Sequence, residues 1–264
     1  MREDPNRRHY EGRFVAAEYA RRSGLKPAEE AIFRRYENEI RGARVLDLGV
    51  GGGRTTSYLA DLASDYVGLD YSPLMIERCR RRFPAVRFEF GDARDLSRFG
   101  DGSFDLVLFS FNGIDAVGHE DRLRILREVR CTLKDRGLFV FSSHNRHFAI
   151  PLPWDLRHFR VNPLRDPIRF ARRIVSYPVG IINYLRRSNR SEIEADHCIV
   201  VDAGDLYSLM HYRMAPDAQE RQLASVGFCE IEAVARDGRW LSTAEAQAAQ
   251  DPYIHYVCRR DPAA

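Results

Sequence analysis

From residue 44 to residue 145 the chain keeps switching its hydrophobic period. "ARVLDLGV", "DYVGLDY", "VRFEFGDA", "FDLVLFSF" and "GLFVFSSHN" have the apolar density of buried strands, while "RTTSYLADLA", "PLMIERCRRRF" and "HEDRLRILREVRCTLK" have helical spacing. Strands separated by helices of 10 to 16 residues pair through right-handed crossovers. The expected fold is therefore α/β, a Rossmann-like, mostly parallel sheet with helices on both faces. The flanks depart from this rhythm. Residues 9 to 40 read as two helices, the first stopped at Gly24 and the second opening near Pro27 and ending at Gly42. Residues 146 to 196 form a Pro- and Arg-rich insertion with one or two helices. "HCIVVDAGDLYSLMHYRM" reads as a hairpin turning at Ala203-Gly204-Asp205, and a helix from Pro216 to Gly227 precedes two strands, "FCEIEAVAR" and "YIHYVCRR". The expected division is 1–40, an amino-terminal helical lid; 41–145, the core; 146–214, a cap insertion with the hairpin; and 215–264, the closing helix and strand pair.

The first strand runs into "VLDLGVGGGRTT", with four glycines in five positions. A phosphate-binding GxxxxGK[ST] loop is absent, and a dinucleotide GxGxxG fails because Arg54 stands at the third glycine. The pattern that fits is Asp47-x-Gly49-x-Gly51-x-Gly53. A carboxylate at the mouth repels a pyrophosphate but attracts an ammonium group, while the glycines let backbone approach the ligand. Asp70, 23 residues after Asp47, ends the second strand, where a carboxylate can accept both hydroxyls of a ribose. Asp92 ends the third and suits an exocyclic adenine amine. The loop is suited to a nucleoside carrying an amino-acid tail.

"VLDLGVGGGRTT", "YVGLDYSPLMIERCRRR", "VRFEFGDARDL" and "FDLVLFSFNGIDAV" resemble, in order and spacing, the successive motifs of class I S-adenosylmethionine-dependent methyltransferases, and "QLASVGFCEIEAVAR…YIHYVCRR" resembles that family's ending. The resemblance implies a seven-stranded sheet with an antiparallel last strand, and S-adenosylmethionine (SAM) as cofactor across the carboxyl ends of the first strands. Carried over by position, Asp47, Gly49, Gly51 and Gly53 hold the methionine end and Asp70 the ribose. Tyr71 and Met75 pack near the adenosine, Asp92 and Ala93 meet the adenine, and Ser110 sits beside the sulfonium. The activity implied is methyl transfer by in-line displacement, leaving S-adenosylhomocysteine (SAH).

The acceptor side has to be read residue by residue. Asn112 and Asp115 follow the fourth strand and are expected to face the cleft, with an Asn112-Gly113 turn as the plain alternative. The amino-methylating DPPY or NPPY tetrapeptide is absent. His144 closes the fifth strand, and imidazole is the natural base near neutral pH. His211 and Tyr212 follow as catalytic or substrate-binding candidates, although strand alternation sends them to opposite faces. His119 reads as a residue beside a helix start. Residues His144, Asn145 and His147 lack the clustered carboxylates of metal-assisted catechol-type methylation, so no metal is expected. Tyr10, Phe14 and Tyr19 could cover the cofactor.

Composition bounds the partners. The chain is 44% hydrophobic and 30% charged with a net charge of +3, its five cysteines are scattered, and its start lacks an apolar run, which together suggest a cytoplasmic enzyme. From Asp155 to Arg190 nine Arg stand against two Asp. This segment reads as a substrate cap, with an anionic or lipid-linked acceptor and peripheral membrane contact as further readings. The expected acceptor is a small molecule, methylated on oxygen or nitrogen with oxygen ahead, and nucleic acid is disfavoured because no RNA-binding module is visible. An RNA methyltransferase using the Arg-rich insertion and a non-methylating SAM-binding protein remain as alternatives.

Overall fold

The computed structural model describes residues 6–12, 15, 18–19, 21–155 and 166–264. Five strands run parallel in the order β3 (Arg87–Phe90), β2 (Asp65–Asp70), β1 (Arg44–Leu48), β4 (Phe104–Phe109) and β5 (Leu133–Asn145). Beyond β5 come β11 (Tyr253–Arg260), antiparallel to it, and then β9 (Phe228–Val234), with β10 (Trp240–Leu241) at the edge. Setting β10 aside, this is the seven-strand arrangement expected from the sequence, with the last strand antiparallel.

The strands are continuously apolar because both faces are covered. Leu46 and Leu48 of β1 pack in one buried cluster and Val45 in the other; Val107 and Phe109 of β4 likewise oppose Leu106 and Leu108. Such double burial is the signature of a parallel sheet between helix layers. The helices are α2 (Pro27–Arg35), α3 (Thr56–Leu62), α4 (Pro73–Arg82), α5 (His119–Thr132), α6 (Pro167–Ser188), α7 (Pro216–Val226) and α8 (Thr243–Ala248), after a single turn α1 (Arg7–Tyr10). Pro27, Pro73 and Pro216 each open a helix, where a missing N–H costs nothing. Gly227 closes α7 in a left-handed conformation.

The hairpin forms as expected from β7 (His197–Val201) and β8 (Met210–Met214), with β6 (Glu192–Ile193) beside β7. It also joins the main sheet: β8 pairs parallel with the tip of β5, His144 opposite Arg213 and Asn145 opposite Met214. This pairing brings the insertion over the carboxyl edge of the sheet. The amino-terminal segment is tied to the same place, because the Asn6 amide donates to the Met210 and Ala116 carbonyls and accepts from the Met210 N–H. No helix among the described residues is long and apolar enough to cross a membrane.

Candidate active site

A cavity opens where β1, β2 and β4 end. Gly49 and Gly51 line it with φ of 61° and 55°, a region that L-residues rarely adopt. A Cβ on Gly51 would stand 3.2 Å from the Tyr19 ring, and one on Gly49 would stand 2.8 Å from Phe109. Side chains here would fill the space the loop leaves. Gly53 serves a different purpose: it does not line the cavity, and its Cβ would meet Phe83 at 2.7 Å, so helix–loop packing requires it.

The acids divide in the same way. Asp70 lines the cavity and holds the loop in place, accepting from the Gly51 N–H at 2.9 Å and the Ser72 N–H at 2.8 Å. Burial pushes its carboxyl up to about 6. Asp47 is equally raised by burial, to about 6, but lies beneath the loop, where it accepts from Thr55 Oγ1 at 2.5 Å and the Tyr66 hydroxyl at 2.7 Å. It does not line the cavity, and it supports the loop from beneath. Tyr71, Met75, Asp92, Ala93 and Ser110 all line the cavity. Asp92 is gripped by Arg94, Nη2 at 2.7 Å and Nε at 3.0 Å; desolvation would raise its carboxyl, but these bonds hold it below the ordinary range.

Two arginines escaped the sequence reading. Arg54, noticed only as a missing glycine, is buried and makes a bidentate pair with Glu29 at the start of α2, both bonds 2.5 Å long. Its Nη2 also donates to Ser110 Oγ at 3.2 Å. The pair clamps the amino-terminal helix onto the glycine loop. Arg22 lies over the rings of Tyr19 and Phe111, 4.2 and 4.7 Å from their centroids, and its buried Nη1 has no hydrogen-bond partner among the described residues. Both rings line the cavity, as does Tyr10, packed edge-on against Tyr19 at 6.3 Å. The expected aromatic cover is therefore present in Tyr10 and Tyr19; Phe14 lies outside the described residues.

Beside the cavity two imidazoles stack, His144 from β5 and His211 from β8, with centroids 4.7 Å apart. Asp115 lies beneath His144, fully buried, and does not reach the cleft as expected. Its Oδ2 accepts from His144 Nδ1 at 2.8 Å and from the His144 backbone N–H at 2.6 Å; its Oδ1 pairs with Arg122 and accepts from Ser143 Oγ. Arg122 in turn donates to Gln219 and Gln222 of α7. Desolvation alone would raise Asp115, but Arg122 and His144 hold it below its ordinary value. Burial lowers His144 from its ordinary value, with Asp115 offsetting part of the shift. With Nδ1 donating to Asp115, Nε2 keeps a lone pair, 3.3 Å from Asn112 Nδ2. Asn112 follows cavity-lining Phe111, and the Tyr10 hydroxyl stands 3.5 Å from His211 Nε2. The histidines and the cavity thus share a wall.

Tyr212 is corrected. Alternation on β8 turns it away from His211, and it is fully buried, under the Arg122 guanidinium at 4.6 Å and bonded to His119 Nδ1 at 3.0 Å. It supports Arg122 on the side of β8 away from His211. His144, His211 and Asp202 bring ligand atoms within 4.8 Å of one another, a spacing that metal ligands adopt. The charge there is already balanced, Asp115 by Arg122 and Asp202 by Arg213 at 3.4 Å, so a divalent ion would load a buried site with excess positive charge. Arg122 left one sequence trace: it occupies the buried stripe of α5 with Ile125, Leu126 and Val129.

The methyltransferase-domain family profile matches residues 45–137. A probable S-adenosylmethionine-dependent methyltransferase of Mycolicibacterium smegmatis is 30% identical over 205 residues, 75% of each chain. A fatty-acid O-methyltransferase of the same species is 36% identical over 118 residues, 43% of this chain and 41% of that one. The chain spans half or less of other curated methyltransferases that it matches, 49% of one and 37% of another. The crystal structure of an S-adenosylmethionine-dependent methyltransferase from Mesorhizobium loti shares the fold, with TM-score 0.55 and 21% identity over 88% of this chain and 98% of that one.

Proposed function

Since the chain belongs to the class I S-adenosylmethionine-dependent methyltransferases, we propose that it methylates a hydroxyl oxygen on a small, largely apolar acceptor, with His144 as general base. The observation carrying this reading is the buried Asp115–His144 pair beside the glycine-loop cavity. SAM, when bound, supplies an electrophilic methyl group on sulfur.

The cavity fits this cofactor. Asp70 can accept from the ribose hydroxyls, and Gly49 and Gly51 admit the chain of the amino acid. The unpartnered Nη1 of Arg22 suits the carboxylate. Tyr10 and Tyr19 exclude water above it. Asp115 fixes the His144 tautomer, so that Nε2 can take the proton of a hydroxyl as it attacks in line. A carboxylate acceptor would arrive ionised and need no base, and for that reason a hydroxyl is the better match. The apolar wall formed by Phe111, Ala116 and Val117 favours an acceptor with hydrocarbon character.

The test is SAH release with a panel of phenols, aliphatic alcohols, amines and a long-chain fatty acid. His144→Ala should lower turnover on the best hydroxyl acceptor by on the order of 10²-fold or more, with SAH affinity unchanged. An unaltered rate would remove His144 as the base, and transfer confined to amines or carboxylates would overturn the hydroxyl assignment.

A further inference from the structure

Helix α6 sits in the insertion with its sides reversed. Its inner side meets the protein through Gly180, whose Cβ position is 3.4 Å from the Tyr207 ring, and through Tyr184, edge-on to Tyr207 at 5.9 Å and Trp154 at 5.4 Å. The outer side carries Ile174, Val175, Val179, Ile182 and Leu185, exposed by 50, 75, 45, 46 and 60%. At 100° per residue these five, with exposed Pro178, fall in one arc of roughly 140°. An amphipathic helix of a globular domain turns such an arc inward. Here nothing among the described residues covers it, and the patch exceeds the scattered apolar exposure of an ordinary surface.

The charge of the segment selects the occupant. Between Pro167 and Arg190 the sequence has six Arg and no acid. Arg186, on the margin of the arc, and Arg190, just past the helix, are exposed. A second copy of this face would bring arginine against arginine, with the nearest carboxylates, Asp166 and Glu192, beyond the ends of the helix. An RNA backbone would satisfy the arginines but leave the apolar arc in water. A surface that is apolar beneath and anionic above satisfies both.

We infer that α6 is an interfacial helix that lays its Ile174–Leu185 arc into the headgroup region of an anionic phospholipid bilayer. A groove of mixed polar and apolar lining starts at its carboxyl end, among Arg190, Glu192, Ile199 and Met210, and passes Asp121 to reach Ala116 and Val117, which also wall the cofactor cavity. An apolar acceptor leaving the bilayer would follow this groove; that extension, unlike the docking itself, rests on the acceptor reading above.

The experiment is flotation of the full chain with phosphatidylcholine vesicles, with and without 30 mol% phosphatidylglycerol. Binding is expected to the anionic vesicles, to weaken in high salt, and to fall at least tenfold in Val175→Asp/Leu185→Asp, whose SAH affinity and thermal midpoint stay as in the wild type. Arg186→Glu/Arg190→Glu should shift the salt dependence in the same direction. No flotation of the folded wild-type protein would overturn the inference, as would flotation indifferent to the aspartates. So would a dimer in sedimentation velocity that the aspartates dissolve while vesicles are ignored, or tRNA binding in place of vesicle binding. Failure here with methyl transfer intact removes only the docking; loss of transfer in His144→Ala with docking intact bears only on the chemistry.

Discussion

The base role proposed for His144 rests chiefly on one buried carboxylate. Asp115 holds the imidazole in one tautomer and also favours its charged form, while burial opposes that charge and prevails. The base is active when deprotonated, so the acid limb of kcat/KM should fall below pH 6.5, the ordinary value for histidine. Asp115→Asn removes the group that favours imidazolium, which moves the limb to still lower pH. It also releases the tautomer, and the plateau should drop by on the order of 10²-fold; a pH–rate profile reads both effects. An acid limb that rises in Asp115→Asn would contradict this arrangement. At Tyr212 the expectation is the opposite. Its hydroxyl bonds His119 and Gln222 on the far side of β8, so Tyr212→Phe should cost about 1 kcal/mol of stability and leave turnover essentially unchanged. Thermal denaturation and steady-state rates separate the two. The histidine candidates could be read from the sequence as strand-end residues. Their stacking could not, because it depends on where β8 lands.

Among the elements, the clamp between α2 and the glycine loop ties the amino-terminal helix to the loop that lines the cavity. Glu29 and Arg54 are both buried and joined by two short bonds, so removing one partner leaves an uncompensated charge. Glu29→Gln should destabilise the protein by about 3–5 kcal/mol by that reasoning, and should weaken SAH binding as Arg54 loses its hold on Ser110 and the loop. Chemical denaturation with an SAH titration checks this; unchanged stability would show that the pair is solvated. The helices and strands of the core were legible because each carries its own period, several with a proline or glycine at an end, whereas the short α8, β6 and β10 were not. The clamp was not, since an arginine in a loop carries no mark of an acid 25 residues upstream. Burial of Arg122 was marked only by its place on the apolar stripe of α5.

For the molecule as a whole, cofactor affinity should follow pH through Asp70. Its folded value, about 6, lies above the ordinary 3.8 because burial penalises the charge. The stability from this shift is complete below about pH 4 and is lost as pH rises through 6. Ribose hydroxyls donate best to the ionised form, so SAH should bind more weakly at pH 5 than at pH 7.5 and should release protons near pH 6. Calorimetry in two buffers of different ionisation heat measures both; equal affinity and no proton release would remove Asp70 from the ribose. Asp47 shares the shift but lies beneath the loop, so its protonation should show in stability more than in binding.

The alternation of strands and helices, the glycine loop and the acids at the ends of β2 and β3 follow from the sequence alone, because each rests on local periodicity or on short, regular spacing. Tertiary structure decided which of these residues line the cavity. It placed Asp47 and Gly53 behind the loop, Asp115 beneath His144 and Tyr212 on the far side of β8. It also paired His144 with Arg213 and turned the apolar arc of α6 outward. The physical reason is the same in each case. A residue's type sets what it can bond, but its direction is set by partners that are distant in sequence, and those exist only once the sheet and its insertion have closed on one another.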